Sequence, residues 1–143
     1  MEIPYRIQKI ETNEFASFPE NYSGEGKFKL QIGFQFGAAY TQPVIRCKSL
    51  FTGMNDGTKP IFKLVVSCYF TIEPNAYHEL FKENTITIPT DFLRYMAMIS
   101  TGTARGILHT KLEKGKMSDY VLPPVNLLNI IKKDYVADLS PKK

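Results

Sequence analysis

The 143-residue sequence holds few of the residues that usually announce a chemistry. There are two cysteines, Cys47 and Cys68, too few for a disulfide scaffold; in a reducing compartment they read as buried free thiols. The two histidines, His78 and His109, stand far apart and outside any His-Glu-x-x-His or Cys-x-x-Cys spacing, so no zinc site is expected. Gly102-Thr103-Ala104-Arg105-Gly106 lacks the Lys-Ser/Thr ending of a phosphate-binding loop. No nucleophile elbow occurs, and nothing in the sequence gathers Glu79, Asp91 and Asp119 into an acid–base pair. Neither an enzyme nor a bound cofactor is indicated. The apolar run at Leu64-Val65-Val66 falls far short of the ~18 residues that a membrane span needs. Met1 to Phe15 mixes charges with isolated apolar residues and has no signal-peptide core. A cytoplasmic, soluble protein without membrane insertion is expected. Acidic residues are also missing from one long stretch, Gly26 to Asn55.

What is present is the composition of one globular domain: 43% hydrophobic, 22% charged, net charge +4. Residues 1–139 are assigned to that domain and 140–143 to a disordered tail. Phe28, Leu30, Ile32, Phe34 and Phe36 alternate with Lys27, Lys29, Gln31 and Gln35, the period of a half-buried strand. Residues 44–51 and 62–72 alternate in the same way, on either side of turn chemistry at Gly53-Met54-Asn55-Asp56-Gly57. Tyr5 to Phe15 alternates poorly and reads as a twisted or edge strand, followed by a crossover loop over 16–26. After Pro74 the period changes to that of helices: a short one over 75–82, then an extended piece at 85–88. A long helix follows Pro89, with Thr90 as its cap. Asn126 caps a last helix carrying Leu127, Leu128, Ile131 and Tyr135. The fold class is α+β: a four-stranded antiparallel sheet packed by a long helix and a C-terminal helix.

Three runs carry a resemblance. The strand Phe62-Lys63-Leu64-Val65-Val66-Ser67-Cys68-Tyr69-Phe70-Thr71-Ile72, the Arg105-Gly106 step in the long helix, and Leu122-Pro123-Pro124-Val125-Asn126 before the last helix resemble the SecB family of protein-export chaperones. The likeness runs over residues 3–139. It implies a SecB-like fold and a homotetramer, a dimer of dimers, with strands paired across subunits and long helices packed centrally. It also implies an ATP-independent holdase that grips unfolded polypeptide clients in an apolar groove and passes them to a SecA-type motor. Carried onto this sequence, the groove nominates Phe18 and Tyr22 from the crossover loop and Leu127, Leu128 and Ile131 from the last helix. The helix contact nominates Ser100, Gly102, Thr103 and Gly106. Arg105 is read as a structural hydrogen-bonding residue.

One departure is instructive. Lys27, Lys29, Arg46, Lys48 and Lys63 are expected on the outer face of the sheet, where the resembled family carries carboxylates that dock the motor. A basic face would not attract the same partner. These five residues are the expected partner-docking surface, and they also supply the alternative function, a nucleic-acid-binding module. Single-strand binding uses outward aromatics, and on these strands Tyr69 is the one that points outward.

Overall fold

The computed structural model describes residues 3–24 and 27–140. The strand β1 (Tyr5–Ser17) is followed by a 3-10 turn at Pro19–Asn21, then β2 (Phe28–Ala38), β3 (Val44–Asn55) and β4 (Lys59–Ile72). These four form one antiparallel sheet in the order β1-β4-β3-β2. The helix α1 (Pro74–Glu79), the short strands β5 (Phe81–Lys82) and β6 (Thr85–Ile88), and the long helix α2 (Thr90–Leu112) come next. A single helical turn α3 (Leu127–Ile130) and the strand β7 (Tyr135–Asp138) end the chain. The α+β class and the four-stranded sheet agree with the sequence reading.

Several expectations are corrected. The last helix does not continue to Tyr135: it ends after one turn, and Tyr135 opens a strand that pairs with β6 in a second sheet, β5-β6-β7. Residues 81–82 are strand, not the end of a helix. Val136 and Ala137, flanked by Tyr135 and Asp138, alternate over too few residues to betray a strand without its partner. Of the expected tail, Ser140 is placed, its hydroxyl and amide both donating to Asp138 Oδ1, and 141–143 lie outside the described residues.

β3 alternates strictly between buried and half-buried positions, because it is an inner strand with α2 on one face only. Its inner side is Ile45, Cys47, Ser49, Phe51, Gly53 and Asn55. Gly53 is required there, since a Cβ would run into the Phe62 ring. The strand persists to Asn55, and the reversal is made by Asp56 and Gly57, both at positive φ, as a tight hairpin needs. Cys47 and Cys68 sit opposite each other, free and buried; burial pushes the Cys47 thiol up to about 11, against a smaller opposing effect from Ser100 and Ser49 hydroxyls.

The poor alternation of β1 has a physical cause. Its pairing with β4 shifts at Gln8 and again at Asn13, so two residues are inserted and the inward set is thrown out of phase. Both inserted side chains are used: Thr71 Oγ1 donates to Gln8 Oε1 at 2.7 Å and Ser67 Oγ to Asn13 Oδ1 at 2.6 Å. The start of α2 is also bonded from a distance. Thr90 is the first helical residue rather than the cap, and its amide and hydroxyl both donate to Asp134 Oδ1. Those bonds hold the Asp134 carboxyl below its ordinary range.

Candidate functional site

α2 packs over the two inner strands, β3 and β4. The inner faces of the edge strands β1 and β2 must therefore be covered by something else. On β2, register places Phe28, Leu30, Ile32, Phe34, Phe36 and Ala38 on the α2 side, opposite Asn55, Gly53, Phe51, Ser49, Cys47 and Ile45. Their cover is partial. Phe28 stacks on Tyr22 at 5.5 Å and meets Tyr120 edge-on, and Phe36 meets Tyr135, while Leu30, Ile32, Phe34 and Phe36 stay half-exposed. The result is an apolar strip along a strand with no hydrogen-bonded neighbour on its far side among the described residues.

The C-terminal segment lies beside this strip because α2 holds it by backbone. Arg105 Nε donates to Leu122 O at 2.7 Å and its Nη2 to Pro123 O at 3.0 Å; Arg94 Nε donates to Ile131 O at 2.9 Å. The Arg-Gly step and the Leu-Pro-Pro-Val-Asn run, read separately in the sequence, are thus one hydrogen-bonded unit. Of the residues nominated for a client groove, Leu128 is 65% exposed and Phe18 and Leu127 are half-buried. Tyr22 and Ile131 are buried. The Tyr22 hydroxyl donates to Asp119, and burial followed by that bond raises its pKa. Alternation puts Leu30, Ile32, Phe34 and Phe36 on the inward face of a half-buried strand. What leaves them half-open is the position of β2 at the sheet edge, a property of strand order that alternation does not encode.

The β1 side differs. Ile7 pairs with Phe70 and Ile10 with Cys68, so both face the α2 side, yet they are 45% and 49% exposed. Tyr95 and Met98 are exposed on α2 itself. Near the helix start a cavity of about 580 Å³ opens between Pro4, Tyr5, Asp91, Phe92 and Tyr95. The residues nominated for helix contact divide between two faces. Ser100 is buried against Cys47 of its own sheet, whereas Gly102 and Gly106 are exposed with open space where a Cβ would sit. Thr103 is half-buried, its hydroxyl donating to Ile99 O.

The outer face carries the expected cations, unevenly. Lys63 pairs with Glu14 at 3.4 Å, and Lys9 with Glu11 at 3.5 Å. Lys27 and Lys29 sit at the end of the sheet near the β3–β4 hairpin, with Lys29 opposite Met54. Arg46 and Lys48 lie at the other end, opposite Tyr69 and Ser67. The five residues are therefore two groups, not one patch.

No protein-family model matches the chain, and no curated protein matches it either. Among the described residues no helix is long and apolar enough to cross a membrane.

Proposed function

We propose that this protein is an ATP-independent, cytoplasmic holdase that keeps unfolded or precursor polypeptides from aggregating, working as a homotetramer in the manner its SecB-like sequence implies. The observation that carries the reading is the β2 strip. Leu30, Ile32, Phe34 and Phe36 lie half-exposed on a regular strand whose outer backbone edge has no hydrogen-bonded neighbour among the described residues. An unfolded chain has unpaired amides and scattered apolar side chains, and such an edge answers both without demanding a sequence. Several weak contacts along one long client then add up by avidity. Of the residues nominated for a groove, Leu128 is the one most open to a client. The bare inner face of β1 with Tyr95, Met98, Gly102 and Gly106 suits the contact between copies, where glycines let backbones approach closely.

The test is heat aggregation of a model client, followed by light scattering with and without the protein. Suppression near one tetramer per client is expected; no suppression at a several-fold excess overturns the reading. Solution mass by multi-angle light scattering tests assembly, with four chains expected.

A further inference from the structure

The outer face of the sheet, opposite the β2 strip, holds a second surface. On β3 the Arg46 guanidinium lies flat above Gly37, with Nη2 3.5 Å from where a Cβ would stand. Among the described residues Arg46 makes no hydrogen bond or ion pair, and its buried Nε has no acceptor. A buried guanidinium Nε–H without an acceptor is unusual, because that donor loses water and gains nothing. Lys48 stands two residues along the same face, opposite Gln35 on β2 and Ser67 on β4. Arg6 lies two strands away, in the row formed by Val44 and Thr71. The acids nearby are engaged: Glu11 accepts from Tyr69 and pairs with Lys9, which holds its carboxyl below the ordinary range, and Glu14 pairs with Lys63.

The structure assigns this face, centred on Arg46 and Lys48, to an acidic polypeptide segment in extended conformation. Alternate residues of an extended chain are about 6.5 Å apart, the spacing of Arg46 and Lys48 along their own strand. Carboxylates at every second position would meet both cations, and a guanidinium can donate two N–H bonds to one carboxylate at once. Gly33 and Gly37 add no side chains of their own to the neighbouring β2 surface, so the Arg46 guanidinium settles over Gly37 and only Gln35 stands between the two glycines. A single-stranded nucleic acid fits less well: the outward Tyr69 ring, on which a base would stack, is already engaged by Lys9 at 5.6 Å. Lys27, Lys29 and Lys63 are outside the site.

The test titrates the full-length protein into a fluorescein-labelled peptide of six Glu-Ser repeats, at about 0.02 M and 0.15 M salt. Saturable binding that weakens with salt is expected, with none for the Gln-Ser analogue. Arg46→Gln with Lys48→Gln should weaken it about tenfold, and Lys27→Gln with Lys29→Gln less than twofold. Lys48→Glu alone serves if the first pair folds poorly. Equal losses from both pairs, tighter binding of a labelled oligothymidylate, or no saturation at low salt would each overturn the assignment. Suppression of client aggregation should be unchanged in the Arg46/Lys48 pair, so failure here and failure of the holdase reading are seen in separate assays.

Discussion

β1 and β2 close the same sheet on opposite sides. The β1 backbone is interrupted at Gln8 and Asn13, while Ile7 and Ile10 on its inner face are left bare. The β2 backbone runs regularly through eleven residues, and its inner apolar side chains are half covered by Tyr22, Tyr120 and Tyr135. A bulged edge resists the addition of another strand, whereas a flat regular one invites it. The first can gain a partner mainly through side chains, which suits one fixed surface such as a second copy. The second offers backbone as well, which suits many clients of different sequence.

The largest expected effect comes from the β1 side. Ile7→Asp with Ile10→Asp places two charges on the bare face and should drop the solution mass below that of the proposed tetramer, with the circular dichroism spectrum unchanged. A mass unaffected by both charges would remove β1 from the interface. On β2, Leu30→Ser with Phe36→Ser should leave the mass alone and raise the amount of protein needed to suppress aggregation several-fold. If the β1 pair abolished client binding and the β2 pair did not, the two edges would have exchanged roles.

The bulges provide a third, smaller comparison. Asn13→Ala takes the acceptor from Ser67, whose hydroxyl is buried, and should cost about 1–2 kcal/mol in urea unfolding. Gln35→Ala, on the same outer face of the regular edge, should cost under about 0.5 kcal/mol, as surface substitutions do. Equal costs would mean that the inserted residue does not hold the bulge in place. Gly102→Ala pulls in two directions: it should stabilise the separated chain by about 1 kcal/mol through helix propensity, yet weaken assembly if backbones meet there.

The strands with strict alternation were readable because both determinants, period and hydrophobicity, are local: β3 and the inner residues of β4 follow directly from residues 44–51 and 62–72. β1 was readable as an irregular edge but not as a twice-bulged one, since Gln8 and Asn13 look like any polar residues until Thr71 and Ser67 are placed opposite them. β7 was missed because four residues acquire strand character only from β6. The surfaces were less legible still. Whether Phe34 or Tyr22 is open to solvent depends on strand order and on where the Arg105-held segment falls, both tertiary facts.

The smallest effect tests how firmly the segment beside β2 is fixed. Asp134 accepts two hydrogen bonds from Thr90, and the folded state depresses its pKa below the ordinary 3.8. The unfolded chain therefore binds the proton first as pH falls. The contribution of Asp134 is fully present above the ordinary value and is lost as pH drops through the lower folded one. Asp134→Asn should accordingly be less stable than the parent at pH 7, and the gap in urea midpoint should narrow and close as pH falls below the ordinary carboxylate value. A gap that persists into acid would show that the carboxylate charge is not what joins this segment to the start of α2. The β2 strip would then owe its half-cover to the Arg94 and Arg105 bonds alone.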